Sequence, residues 1–282
     1  MDLQRFGYKF TDTDHPELES ILASAECERC PIEIGLYHDH PRAIGLLKEA
    51  LAESELPINT HLDHNQYSIS GISERLDDLA RQIERAQALG STYSITHLAT
   101  APLGQRAKVR RELVDGLVRE LRLVNALCCA LDHRIHVENT FHDLDLYQEL
   151  FAAIANEQLE QIHCCFDIGH AKVWSTRPFS HWLEWLKDVE EAGFSLHMHL
   201  HANGGIKDEH LSFVEADARG LDAPDEYMPE GPYGALAQLG AAHPEARKVY
   251  EVKPAYAVRN RHHTQAHIQR LRAIKETRSA LG

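Results

Sequence analysis

The chain has 282 residues, with 43 acidic and 29 basic side chains and a formal charge of −14. That length suits one large α/β domain, and the acidic balance speaks against a generally basic nucleic-acid-binding surface. No apolar run approaches the roughly 20 residues of a membrane span and the segment from Met1 to Phe6 lacks a signal-peptide pattern, so a cytoplasmic enzyme is the expectation. Without a secretion signal the six cysteines, Cys27, Cys30, Cys128, Cys129, Cys164 and Cys165, carry no disulfide framework. Cys27 and Cys30 form a lone CxxC, read as two thiols beside a helix end, and Cys164-Cys165 reads as core.

In chain order, strand-like and helix-like stretches alternate. Gln4–Phe10 reads as a first strand and Pro16–Ala25 as a helix with Asp14 as its N-cap. Pro31–Tyr37 is a second strand, Ala43–Glu53 a helix, and Pro57–Leu62 a third strand. Ser73–Ala88 is amphipathic, with Ile72, Leu76, Leu79, Ile83 and Ala86 on one stripe, and Gly90 ends it. Tyr93–Leu98 is a strand, Arg106–Leu131 a long helix, Arg134–Glu138 a strand, and Asp143–Asn156 a helix capped by Asp143. His163–Asp167 is a strand, Ser180–Ala192 a helix, Ser195–His201 a strand, Pro232–Leu239 a short helix, Lys248–Val252 a strand, and Thr264–Ser279 the closing helix. Eight strand–helix units in one direction predict a parallel, closed (β/α)8 TIM barrel as a single domain spanning 1–282. The acidic, Pro- and Gly-bearing stretch 212–230 is expected to be a long loop, either a lid or an insertion.

The stretch Ser195–His210 organises the chemistry. His197, His199 and His201 fall at every second position of a strand, so the three imidazoles share one face. Each buried imidazole needs a partner, which makes such a face a costly apolar core and suits a divalent metal. The following Gly-rich loop delivers Asp208 and His210. Metal-type side chains recur where strands end: His64 after strand three, His97, Glu138, Asp167 with His170 three residues on, His199, and Glu251. The C-terminal strand ends form the active-site face of this fold. His61 and His64 both fit the strand-three position, and His64 is preferred; on spacing alone His197 or His201 could stand in for His199. His136 shares the face of Glu138 and reads as a residue orienting a ligand.

Val137-Glu-Asn-Thr140, Cys165-Phe-Asp-Ile-Gly-His170, His199 followed by Asp208-Glu-His210, and Tyr250-Glu-Val-Lys-Pro254 resemble the xylose isomerase-like barrel superfamily, which includes sugar and sugar-phosphate isomerases and epimerases and also endonuclease IV. The resemblance implies that Glu138, Asp167, His199 and Glu251 hold a shared metal, with His170 contacting substrate or a second ion. His64-Asn-Gln-Tyr67, His97, Asp208 and His210 resemble the additional ligands of the endonuclease. The implied cofactor is a divalent ion, zinc first and manganese, cobalt or magnesium next, with on the order of one to three per chain. Asn139, Lys253 and Arg259 are the substrate-binding candidates. Arg259, Arg261 and His262 follow strand eight, where barrels bind phosphate or simply enter the last helix.

Two mechanisms follow. In the preferred one, an isomerase or epimerase acts on a small sugar or sugar phosphate, with Glu138 and Glu251 as base and acid and His170 assisting. In the other, two or three ions serve phosphoester hydrolysis. A metal-binding scaffold without activity is a third class. No membrane partner is expected, nucleic acid is disfavoured, and a homo-oligomer is compatible with the composition.

Overall fold

A computed structural model describes residues 5–13, 16–38, 40–52, 54–103 and 106–281, apart from the side chains of 107, 108, 275 and 278–281. Gln4, Asp14 and Glu53, invoked above in the first strand and first two helices, lie outside the described residues. Eight parallel strands close in sequence order into a barrel: β1 (Phe6–Thr11), β2 (Ile32–Leu36), β3 (Ile58–Leu62), β4 (Tyr93–His97), β5 (Arg134–Glu138), β6 (Ile162–Asp167), β7 (Leu196–Leu200) and β8 (Arg247–Tyr250). β1 pairs with both β2 and β8, which closes the ring. The helices are α1 (Leu18–Glu28), α2 (Pro41–Leu51), α3 (His64–Tyr67), α4 (Leu76–Gln87), α5 (Ala107–Leu131), α6 (Leu144–Asn156), α7 (Ile168–Trp174), α8 (Phe179–Glu191), α9 (Phe213–Ala218), α10 (Gly231–Ala242) and α11 (Ala257–Leu281). None of the described helices is long and apolar enough to cross a membrane.

Four elements differ from the sequence expectation, one of them α3, a single turn capped by Asp63. α7 begins directly at the end of β6, because the Asp167 carboxylate accepts the backbone N–H of His170 and caps the turn. The stretch 212–230 is not a plain loop: Ser212 and Glu215 form a reciprocal capping box that starts α9. α11 begins at Ala257 and not at Thr264, so Arg259, Arg261 and His262 are helical.

Strand alternation divides the protein into two layers. Phe6, Tyr8 and Phe10 of β1, and Ile32, Ile34 and Leu36 of β2, are buried in the apolar shell between barrel and helices. Each such side chain contributes roughly 1.5–3 kcal/mol on burial. The opposite parity points inward and is largely polar: Lys9, Glu33, Asn59, His61, His136 and His197 are all buried. Gly7 permits close approach of β1 to the segment before β2, since a Cβ there would lie 1.7 Å from the Pro31 carbonyl oxygen. Register then places His97 beside Glu138 and Asp167 beside His199 at the strand ends.

Three buried histidines outside the barrel mouth stay neutral. Burial lowers His133, His142 and His163 to about 4, with Arg134 adding to the effect on His133 and His163. His142 Nε2 accepts the Leu103 N–H at 2.8 Å and His163 Nδ1 accepts the Ser195 N–H at 3.2 Å, so protonating either nitrogen breaks a bond. Between about pH 6.5 and 4 the unfolded chain therefore binds protons that the folded chain does not. Stability is full above that window and falls through it by about 1.4 kcal/mol per pH unit for each histidine. Urea denaturation across this range should show that slope, with His142→Gln flattening it by about one proton; a pH-independent midpoint would refute the assignment.

Candidate metal centre

Among the described residues, the C-terminal strand ends and the loop after β7 carry three groups, each with its ligand atoms within 4.8 Å of one another: His61, His97 and Glu138; Glu138, Asp167, His199 and Glu251; and His170, His201, Asp208 and His210; a further group, Cys165, His197 and His199, lies deeper in the barrel. Glu138 belongs to two of them.

His199 shows how the site is built. Its Nε2 lies 2.9 and 3.1 Å from the two oxygens of Glu33, a buried acid from β2, and so donates to that carboxylate. In the neutral ring the other nitrogen, Nδ1, is a lone pair; burial opposes a charge there, but Cys165, Glu33 and Glu138 raise His199 well above the ordinary imidazole range, so without a cation Nδ1 holds a proton. It faces Glu251 Oε2 at 3.0 Å, Glu138 Oε2 at 3.3 Å and Asp167 Oδ2 at 3.8 Å. His61 repeats the pattern: Nδ1 donates to the Leu62 carbonyl at 2.8 Å, which turns the Nε2 lone pair toward Glu138 Oε2 at 3.0 Å. His170 Nδ1 donates to the Asn139 carbonyl at 2.8 Å and presents Nε2 to Asp208 Oδ2 at 3.1 Å. A lone pair aimed at a carboxylate is repulsive unless a cation lies between them. Glu138 Oε1, Asp167 Oδ2, His199 Nδ1, Asp208 Oδ1 and Glu251 Oε2 are also buried without a hydrogen-bond partner. Donor chemistry and orphaned atoms both fit divalent ions held by imidazole and carboxylate.

The protonation pattern agrees. Burial alone would lower His170, but Asp167, Asp208 and Glu138 raise it well above the ordinary imidazole range. His210, likewise opposed by burial, is pushed up to about 9 by Glu251 and Asp208. Protons thus take the place a metal would hold. His97 is driven down to about 3 by burial, despite Glu138 nearby, and remains a neutral donor. Burial raises and His199, His97 and His170 lower Glu138, with the second effect prevailing, so it is ionised.

The residues expected from sequence are mostly brought together. Glu138, Asp167, His199 and Glu251 form one group, and His97, His170, Asp208 and His210 join the flanking ones. His61, not His64, stands with His97 and Glu138. His61 occupies an inward β3 position, whereas His64 follows the strand and opens α3 behind the Asp63 cap. There its ring stacks on His97 at 4.1 Å. His201 joins the third group, with Nε2 3.0 Å from Asp167 Oδ1, and His197 lies one layer deeper, 2.8 Å from Glu33. His136 meets Ser195 Oγ at 3.0 Å and touches none of the ligands.

The proposed substrate binders fare differently. The Asn139 amide is fully engaged with the backbone N–H and C=O of Asp167, at 2.6 and 3.0 Å. Lys253 is exposed, 3.9 Å from Glu215, and Arg259 lines a separate surface cavity with Glu17 and His262. Sequence reasoning missed Lys9, whose ammonium is 2.7 Å from Glu251 and 3.2 Å from Glu33. It also missed Glu33. The available signal was a charged residue at the centre of each apolar strand, Phe-Gly-Tyr-Lys-Phe and Ile-Glu-Ile.

Two backbone features support the third group. His210 has φ 46°, a left-handed conformation that costs a non-glycine residue roughly 1–2 kcal/mol and here aims its imidazole back at Asp208. Gly169 leaves space for the His201 ring, since a Cβ there would sit 2.0 Å from Cε1.

No protein-family model and no curated protein matches the chain. Solved structures do. A zinc chloride-soaked structure of the TTHB071 protein from Thermus thermophilus aligns over 95% of this chain and 97% of its own, with TM-score 0.67 and 18% identity. A D-tagatose 3-epimerase-like protein aligns over 96% and 99%, with TM-score 0.64 and 19% identity. An AP endonuclease, family 2, from Brucella melitensis aligns over 88% and 92%, with TM-score 0.58 and 14% identity. The chain therefore shares with these structures the closed (β/α)8 barrel fold.

Two outcomes are expected. Removing metal should lower the melting temperature, because a site filled at about 100 times its dissociation constant adds about 2.7 kcal/mol to stability; an unchanged melting curve after verified removal would refute the coupling of metal binding to stability. Gly169→Ala should displace His201 and lower the metal content at limiting zinc, while Gly45→Ala, where an added Cβ meets nothing within 4 Å, serves as the control.

Proposed function

We propose that the chain is a divalent-metal-dependent hydrolase of phosphoesters, working with at least two ions, on a small phosphorylated sugar-type substrate. The observation that carries this reading is the double membership of Glu138, which lies in the ligand group of His61 and His97 and in that of Asp167, His199 and Glu251. A carboxylate common to two groups could serve a ligand set for more than one ion. Divalent ions held by these residues would supply the activation of water and the charge stabilisation that phosphoester hydrolysis needs.

The chain's own residues then have defined tasks. Glu33 and the Leu62 carbonyl hold His199 and His61 in the tautomers that face the mouth. Lys9 keeps Glu251 ionised: burial works against the carboxylate, but Lys9, His199 and His210 together hold it well below the ordinary range. Asp208 is lowered as well, against burial, by His170 and His210, so the acids of the mouth are anions at neutral pH. The acidic overall charge favours a small substrate over nucleic acid, whose backbone needs a cationic track.

A second reading is the single-ion isomerase or epimerase. It is favoured by the compact four-ligand group and by the epimerase-like protein among the structural neighbours. It requires Glu138 and Glu251 to exchange protons with substrate carbon. A general base works best with a pKa near the operating pH. Both carboxylates are held below the ordinary range by their cationic and imidazole neighbours.

Metal content and turnover of His61→Ala and His97→Ala separate the two. The hydrolase reading expects at least two zinc ions per parent chain, about one fewer in each variant, and phosphoesterase activity reduced 100-fold or more, an effect on the order of 3 kcal/mol. The substrate panel contains sugar phosphates, free ketoses and abasic DNA. A single ion per chain, retained in both variants together with ketose isomerisation, would establish the isomerase instead.

A further inference from the structure

Away from the barrel mouth, a second set of ligating side chains converges on the outer helical layer. His263 and His267 are one turn apart on α11, and Asp217 projects from α9; their ligand atoms lie within 4.8 Å of one another. His263 Nε2 is 2.6 Å and His267 Nε2 3.8 Å from the same oxygen, Asp217 Oδ2. An i, i+4 histidine pair places both imidazoles on one helix face, the spacing at which two nitrogens reach one ion. All three side chains are between 23% and 30% exposed, open to solvent on one side and walled by protein on the other.

Tyr233 of α10 prepares this set. Its hydroxyl donates to Asp217 Oδ1 at 2.6 Å, which orients the carboxylate, and lies 2.9 Å from His263 Nε2, so it holds both groups at the mouth of the set. Its ring stacks on His267 at 4.2 Å with an interplanar angle of 17°, fixing the rotamer of that imidazole. A plain helix-to-helix staple would need only His263 and Asp217. It would not account for His267, held in place by stacking yet too far from the carboxylate to hydrogen-bond with it.

We propose that Asp217, His263 and His267 form a peripheral site for a zinc-class divalent ion, with three protein ligands and one position open to water. Two imidazoles and a carboxylate are an established ligand set for zinc. The site shares no residue with the groups at the barrel mouth. Zinc–ligand bonds of roughly 2.0–2.2 Å require the ligand atoms to stand somewhat farther apart than the 2.6 Å of His263 and Asp217, a change that side-chain rotation on an exposed surface supplies.

The ion would clamp α9 to α11. α9 follows directly on the segment that carries Asp208 and His210: Leu211 pairs with Ala202 after β7, and the Phe213 N–H donates to Asn260 of α11 at 2.7 Å. Occupancy of the peripheral site would thus hold the outer end of the loop that supplies two ligands to the centre.

The test uses the full chain with its barrel-mouth metals in place. Zinc bound per chain is measured by elemental analysis after equilibration at a series of buffered free zinc concentrations, for the parent, Asp217→Asn and His267→Gln. Asp217→Asn retains an acceptor for Tyr233, and His267→Gln is a mild change on a partly exposed helix face, so both should fold, as circular dichroism would verify. The parent should bind one zinc ion more than either variant, with affinity for that ion reduced at least tenfold in each. The loss should be additive with that of His97→Ala, which removes a ligand only at the barrel mouth. Cobalt(II) should report the same extra equivalent by absorption. Equal zinc content in parent and both variants at every free concentration would overturn the proposal and leave a helix staple. Because the difference is read against the mouth-site count, failure here is distinguishable from failure of the multi-ion reading above.

Discussion

The structure depends on how one barrel end tolerates five carboxylates at once. Glu33, Glu138, Asp167 and Glu251 are enclosed with Asp208 beside them, and Lys9 is the fixed cation placed among them. Two like charges 4 Å apart repel by about 4 kcal/mol at an effective dielectric constant near 20. The imidazoles make this arrangement tenable. Three of them, His199, His61 and His170, are anchored from behind by a bond they donate, to Glu33, the Leu62 carbonyl and the Asn139 carbonyl, which sets the direction of the remaining nitrogen. Cation affinity is thereby written into the tautomers before any cation arrives, and little is left to reorganise on binding.

Beneath the ligands the polar character continues. His197 Nε2 lies 2.8 Å from Glu33 and its Nδ1 meets the Tyr93 hydroxyl at 2.8 Å, and Arg247 lies over the Tyr93 ring at 5.1 Å. Burial lowers His197 to about 4 in spite of Glu33, so it is neutral in this chain of contacts. Tyr93, Ile95 and Cys165 form a small apolar cluster there, while the main core lies outside the barrel. Stability and chemistry therefore occupy different layers, which allows the interior to be so rich in ionisable groups.

Much of this was legible in the sequence because two periodicities coexist along the chain. Alternation of short apolar strands with amphipathic helices announced the barrel, and metal-type side chains at successive strand ends announced the mouth. What escaped has physical reasons. Strands buried on both faces do not reveal which parity points inward, so Lys9 and Glu33 looked like interruptions and His61 could not be told from His64. The choice between them is made by register, where His61 sits opposite Ile95 and Gly35, and by the turn at Asp63. The α9 signal, Ser212-Phe-Val-Glu215, was present as a capping box but was hidden by the acidic, Pro-bearing residues after it. α7 had no apolar stripe to announce it; a ligand, Asp167, starts it.

The ion pair between Lys9 and Glu251 joins the first strand to the residue that follows the last. It is thus a seam, and the barrel is sealed by the same contact that completes the centre. During synthesis, β1 and β2 emerge with Lys9 and Glu33, but Glu251 follows more than two hundred residues later. At about 5–20 residues per second, the interval is on the order of tens of seconds. Over that time, the half-built sheet carries open edges and an incomplete ligand set. Completion of the candidate ligand set is therefore a late event, coupled to ring closure, and a chain stalled before β8 has neither a sealed fold nor the full set.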